Sequence, residues 1–252
     1  DGTDITGATI DGQEVQEITV DGDTVFTAGP VIPDSALSQN LVAWYRFEDG
    51  DARDYTNDLD GTFADSTAYD GTISGATFQS SGGVTDFENG ANSASFDFDG
   101  GDAIDIPNSI LNSNSNDFTL NIWLEADDVS SLAGVFGNLF FGDSTGIGIF
   151  INSGDLFYRQ RNADTSTRDV STSISADTYF MATLAMDNQT MNAYLNGNLV
   201  GSTSTPTTTY ESDNRIGEQG GFGFDGVLDD ARLYDKALTG AEISDIFNAT
   251  QP

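Results

Sequence analysis

The chain has 252 residues, of which 37% are hydrophobic and 11% aromatic, enough to enclose the core of one large domain. It carries 41 acidic against 8 basic residues and no His, a formal net charge of -33. That balance argues against nucleic acid and anionic membranes as partners, because phosphate is held by basic patches. The absence of Cys removes disulfides and thiolate chemistry. No apolar stretch approaches the roughly 18 residues of a membrane span, so membrane insertion is not expected.

In chain order, residues 6–10, 15–20 and 24–27 read as three short strands. Asp11-Gly12 and Asp21-Gly22 lie between them, a strong hairpin signal. Residues 1–29 therefore form a small N-terminal β-arm. Strands this short make a poor core alone. The arm is expected to pack on copies of itself or on another protein, with pairing to the edge of the main sheet as the alternative. Residues 30–36, with Pro30 and Pro33, make a short stiff linker. The main domain covers 37–249.

Strand signals then recur at 41–47, 95–98, 103–106, 118–124, 146–151, 179–186 and 190–195, the last turning through Asn196-Gly197 into Leu199-Val200. Along 118–124, Phe118, Leu120, Ile122 and Leu124 take one face while Thr119, Asn121 and Trp123 take the other, the period of a strand. Many short strands joined by turn residues predict an all-β fold, an antiparallel two-sheet jelly-roll sandwich. Only 239–247 reads as helix. Thr239 and Glu242 have capping-box spacing there, and Ile243, Ile246 and Phe247 give an apolar face.

Such a charge suits molar salt. There the screening length falls to about 3 Å, and the self-repulsion that strains a compact acidic fold largely disappears. Of the acids, 33 are Asp, and Lys236 is the single Lys, so short hydrated groups dominate the surface. A calcium-loaded extracellular protein is the alternative. A disordered acidic chain is excluded by aromatics that recur in strand patterns throughout.

Five segments carry a family resemblance. They are Leu41-Val42-Ala43-Trp44-Tyr45-Arg46-Phe47 with its Asp-rich loop, Phe98-Asp99-Gly100 through Ile106-Pro107, and Phe118-Thr119-Leu120-Asn121-Ile122-Trp123. The hairpin Ala193-Tyr194-Leu195-Asn196-Gly197 and the close Phe224-Asp225-Gly226 through Leu233-Tyr234 complete them. In this order they resemble the laminin-G-like jelly-roll family of the concanavalin-A-like lectin/glucanase superfamily, over 41–248. Tyr179-Phe180 departs from the family's frequent Trp-His-His. The arm resembles short Asp-Gly β-arms of virion tail and capsid appendage proteins.

The glucanase branch of that superfamily uses a Glu-x-Asp-x-Glu strand, and here every Glu is isolated. Glycoside hydrolysis needs two carboxyls about 5–9.5 Å apart; the nearest alternation, Phe96-Asp97-Phe98-Asp99, reads as a solvent face beside a turn. Without His or Cys there is no Ser-His-Asp triad and no thiol nucleophile. The chain is expected not to be an enzyme.

Calcium takes six to eight oxygens, mostly from Asp, Asn and backbone carbonyls. Glu48, Asp49, Asp54 and Asn57 gather such oxygens after the first strand. The resemblance places the last strand beside it, so Asp229 or Asp230 is a candidate to complete a structural Ca2+ site; ordinary solvated acids are the alternative. A lectin-like module implies glycan contact through loop-tip aromatics and polar groups, for which Tyr158, Arg159, Arg161, Tyr210 and Phe222 are the candidates. Arg159, Arg161 and Arg168 place three bases within ten residues, suiting an anionic glycan or an acidic subunit, or else charge balance within the sandwich.

Together these resemblances imply a non-catalytic structural and binding module on the surface of a virion infecting salt-loving archaea: a tail fibre, spike, turret or decoration. Its arm would meet virion proteins and copies of itself, and its sandwich a host-surface glycan or glycoprotein. A secreted or cell-surface carbohydrate-binding domain of a haloarchaeon is the alternative, and a glycoside hydrolase of the same fold is a third.

Overall fold

The computed structural model describes residues 9–10, 13–14, 17–20, 23–27, 40–55, 69–84, 93–107, 117–139, 145–162, 166–206 and 214–252. Before residue 40 it describes four strands, β1 (Thr9–Ile10), β2 (Gln13–Glu14), β3 (Glu17–Val20) and β4 (Asp23–Thr27). They pair as β1–β2 and β3–β4, and among the described residues neither hairpin pairs with another strand. Four strands replace the expected three, because Ile10 pairs with Gln13 and Val20 with Asp23, so each return strand starts directly after an Asp-Gly pair.

The remaining strands are β5 (Leu41–Tyr45), β6 (Thr72–Ser74), β7 (Thr77–Gln79), β8 (Ser95–Asp99), β9 (Ala103–Ile106), β10 (Phe118–Ala126), β11 (Ala133–Gly137), β12 (Gly146–Asn152), β13 (Asp155–Arg161), β14 (Thr167–Ser173), β15 (Tyr179–Asp187), β16 (Thr190–Leu195), β17 (Asn198–Ser204), β18 (Asn214–Ile216), β19 (Glu218–Gln219), β20 (Phe222–Gly223) and β21 (Asp225–Tyr234). One helix, α1 (Gly240–Thr250), follows. An eight-stranded sheet runs β17-β16-β15-β10-β21-β8-β7, with β5 also on β21; a seven-stranded sheet runs β14-β13-β12-β11-β18-β9-β6. All pairings are antiparallel, and the two sheets form a jelly-roll sandwich. Among the described residues no helix is long and apolar enough to cross a membrane.

β21 serves two neighbours on one edge: residues 225–228 pair with β8 and residues 231–234 with β5. A bulge lies between these halves. Asp230 has φ 48°, and the register on β10 slips from Asn121↔Arg232 to Trp123↔Asp229. The extra residue bends the strand and leaves Asp229, Asp230 and Arg232 buried.

Alternation builds the core between the sheets. Phe118, Leu120, Ile122 and Leu124 of β10 face Ile147, Ile149 and Ile151 of β12 and Leu156 and Tyr158 of β13. Each such side chain contributes about 1.5–3 kcal/mol of apolar burial. The opposite face of β10 is covered too. Trp123 stacks on Phe247 of α1 at 5.7 Å, and its Nε1 donates to Thr250 Oγ1 at 2.8 Å. Thr119 Oγ1 donates to Lys236 O and accepts from Leu238 N. The expected capping box is present: Thr239 Oγ1 accepts from Glu242 N, and the Glu242 carboxylate accepts from Thr239 N at 2.7 Å.

Candidate functional site

Residues 155–161 form the strand next to the β14 edge of the seven-stranded sheet, not the loop tip expected for Tyr158, Arg159 and Arg161. Strand periodicity divides them. Leu156, Tyr158 and Gln160 are fully buried on the core side, while Phe157, Arg159 and Arg161 alternate on the outer face. Tyr158 is therefore corrected to a core residue. Its hydroxyl donates to Tyr194 O, and burial pushes its pKa far above the usual phenol value.

The ring that accompanies the arginines is Phe157, which sequence reasoning missed, although the alternation of Leu156-Phe157-Tyr158-Arg159 carries the signal. The Arg159 guanidinium lies 5.8 Å from the Phe157 ring centre. It also grips Asp169, its cross-strand partner on β14, through Nε–Oδ1 and Nη2–Oδ2 contacts of 2.8 Å each. The Asp169 hydrogen bond raises the Arg159 pKa against a smaller opposing effect of burial. Arg161 sits two residues on, opposite Gly146 and Thr167, and its buried Nε has no hydrogen-bond partner among the described residues. Arg168 pairs with Gln160 in register, so it takes the other side of the sheet from Arg159.

The centre of this outer face is bare backbone at Gly134, Gly146 and Gly148. A Cβ at Gly134 would stand 2.3 Å from Gln219 Cγ, so only glycine lets the β19–β20 hairpin seat there. Gln219 is fully buried and accepts from Leu139 N at 2.9 Å. Its cross-strand partner is Phe222, half-buried in β20 instead of exposed at a loop tip. Farther along, Arg215 of β18 holds Asp105 of β9 at 2.5 Å and also pairs with Glu218. The face thus has an aromatic ring beside one Arg–carboxylate pair, a central hairpin, and a second Arg–carboxylate pair. Tyr210 lies outside the described residues.

An apolar ring beside a fixed guanidinium–carboxylate pair suits a sugar. The C–H face of a pyranose covers the ring, and its hydroxyls find both donors and acceptors at the rim.

The acidic candidates lie on the other sheet. Asp49 Oδ2 accepts from Tyr55 Oη at 2.6 Å, Glu48 Oε2 from Ala94 N at 3.2 Å, and buried Asp54 Oδ1 from Trp44 N at 3.0 Å. Asp229 is fully buried and accepts from Asp230 N at 2.7 Å and Val84 N at 2.9 Å. Burial first, then the charges of Asp230 and Glu48, push its pKa well above the usual carboxylate range. Asp230 in turn accepts from Trp44 Nε1 at 2.6 Å and pairs with Arg232 at 2.9 Å. The guanidinium groups of Arg232 and Arg46 lie 4.9 and 5.4 Å from the Trp44 ring centre. These carboxylates anchor loop backbone to β5 and β21. Among the described residues no three acids are grouped so as to hold a metal ion, and Asn57 lies outside them.

Two facing antiparallel sheets with a ring-and-arginine outer face define a lectin-like sandwich. A family model described as the concanavalin A-like lectin/glucanases superfamily, of laminin G type, matches residues 98–244. The chain belongs to that superfamily.

Similar solved structures include domain 4 of AbnA, a GH43 extracellular arabinanase from Geobacillus stearothermophilus in complex with arabinotriose. It has a TM-score of 0.65 and 17% identity, covering 82% of this chain and 98% of that one. The binding domain of Paraclostridial Mosquitocidal Protein 1 has a TM-score of 0.61 and 18% identity, over 84% of this chain and 53% of that one. The receptor binding domain of botulinum neurotoxin D has a TM-score of 0.63 and 11% identity, over 88% and 57%. The chain thus spans about half the length of these two toxin domains. At such identities the likeness shows the fold alone. No curated protein matches the sequence.

Proposed function

We propose that the protein is a non-catalytic carbohydrate- or receptor-binding module that presents the outer face of its seven-stranded sheet to a glycan. The observation that carries this reading is the Phe157–Arg159–Asp169 platform, where a ring, a guanidinium and a carboxylate share one outer face. The similar structures support it, since they include an arabinotriose complex, a binding domain and a receptor binding domain. The chain's lack of His and Cys supports a binder over an enzyme.

The finer reading is an appendage on the surface of a virion that works at molar salt. The charge of -33 supports the salt, and an N-terminal arm whose strands, among the described residues, pair only with one another supports anchorage in a homo-oligomer or to other virion proteins. A secreted or cell-surface carbohydrate-binding domain is the second reading, favoured by the extracellular arabinanase domain that shares the fold. Sedimentation of the full chain in molar NaCl separates the two: an oligomer supports the appendage, and a monomer supports the secreted domain.

The test of the binding face is a glycan array with neutral and anionic glycans in molar NaCl, probed with the wild type, Phe157→Ala and Arg159→Ala. The expected result is selective binding that both variants lose. Retention of full binding by both variants would remove this face as the site.

A further inference from the structure

Two Asn-x-Thr tripeptides fall within the described residues, Asn188-Gln189-Thr190 and Asn248-Ala249-Thr250. This pattern is the acceptor for N-glycosylation. The transferase uses the Asn side-chain amide and reads the hydroxyl two residues later, so a folded acceptor must leave both groups open.

The fold treats the two tripeptides differently. Asn188 and Gln189 form the two-residue loop of the β15–β16 hairpin, with φ of 38° and 69° and with Asp187 paired to Thr190. Positive φ at both positions matches the twist of the flanking strands, and Asn tolerates it well. Asn188 and Gln189 are exposed and Thr190 is partly so. The tip is pinned by its backbone: Asn188 N donates to Asp117 Oδ1, and Gln189 O accepts from Thr205 N, each at 2.8 Å. Neither the Asn188 amide nor the Thr190 hydroxyl has a hydrogen-bond partner among the described residues.

At the second tripeptide Asn248 is exposed on α1, but Thr250 is buried. Its hydroxyl accepts from Trp123 Nε1 and donates to Ile246 O, each at 2.8 Å. The group a transferase would read is already taken up by the packing of α1 on the sheet.

We propose that Asn188 is an N-glycan attachment site and that Asn248 is not, a proposal that rests on the protein working outside the cell. In the transfer, Asn188 Nδ2 bonds to the anomeric carbon of a sugar carried on a polyprenyl phosphate or pyrophosphate. The bond from that carbon to the phosphate oxygen breaks, the lipid phosphate leaves with the electron pair, and the amide proton passes to a base of the transferase. The hairpin belongs to the eight-stranded sheet, so a glycan there leaves the Phe157–Arg159 face of the other sheet open.

The test is tandem mass spectrometry of peptides from protein isolated from its natural source, with the compartment of recovery recorded. The expected result is a sugar mass on the Asn188 peptide and a bare Asn248 peptide. Asn188→Gln and Thr190→Ala abolish the modification, and Thr190→Ser keeps it, which separates acceptor loss from misfolding. A bare Asn188 peptide in protein recovered outside the cell overturns the proposal and leaves the binding reading standing. A bare peptide in protein found only inside the cell overturns the proposal together with the extracellular reading. A glycan on Asn248 overturns the claim that packing of Thr250 protects it.

Discussion

Phe157 and Arg159 contribute more to the outer face than to the fold, because both project from β13 away from the core. The Arg159–Asp169 pair is about a third exposed on each side, and pairs of that kind contribute at most about 1 kcal/mol to stability. Phe157→Ala and Arg159→Ala are each expected to weaken glycan binding at least about tenfold, the level of an interface anchor, with little change in melting temperature. Tyr158→Phe should behave in the opposite way. It deprives a buried carbonyl, Tyr194 O, of its donor and costs about 1–3 kcal/mol, while glycan binding stays at the wild-type level. Calorimetric melting and titration of the three variants check this, and a Tyr158→Phe binding defect would return Tyr158 to the site.

Among the elements, α1 depends on its cap and on the face it covers. Thr239→Ala removes the side-chain acceptor of the capping box and should cost about 1 kcal/mol, read as a lower melting temperature. Burial pushes the Glu242 pKa up, but hydrogen bonds from Lys236 and Thr239 outweigh it and hold the carboxyl below its ordinary value. Its contribution is therefore present above the unfolded pKa and lost as pH falls through the folded one. The destabilisation by Glu242→Gln at pH 7 is expected to fade as pH falls below the reference Glu value of about 4.3. For the loop after β5 the calcium site expected from the sequence makes a separate prediction. Chelation at constant high ionic strength should lower the melting temperature, as removal of any native-state ligand does. An unchanged midpoint would leave Glu48, Asp49, Asp54 and Asp229 with only the anchoring roles described.

On the scale of the whole molecule, charge governs how stability responds to pH and salt. At one end of the sandwich, burial first and then the like charges of Asp99, Asp127 and their neighbours raise the pKa values of Asp97, Glu125 and Asp225. Buried Asp229 is raised further. Carboxyls with folded pKa values above the unfolded value of about 4 impose no cost below that value and their full cost above the folded one. Stability is therefore expected to rise as pH falls from neutrality through the raised folded values toward about 4. It should also rise with NaCl, as the screening length contracts from about 10 Å at 0.1 M to about 3 Å at 1 M. Because the end cluster is accessible and Asp229 is not, molar salt should narrow the pH effect without abolishing it. Melting curves at two pH values and two salt concentrations test both statements, and indifference to salt would end the reading of a protein built for brine.

Local physics was legible in the chain by itself. Side-chain alternation placed Phe118, Leu120, Ile122 and Leu124 in the core, Thr239 and Glu242 announced their capping box, and Asp-Gly pairs located the arm hairpins. The same alternation, applied to residues 155–161, separates Tyr158 from Arg159. Tertiary structure decided what depends on partners far away in sequence. Asp229 takes up the amide of Val84 across 145 positions, Trp123 occupies the Thr250 hydroxyl across 127, and Gln219 fills the space that Gly134 leaves. Periodicity states which way a side chain points along its own strand, whereas the order of strands in a sheet determines what it meets there.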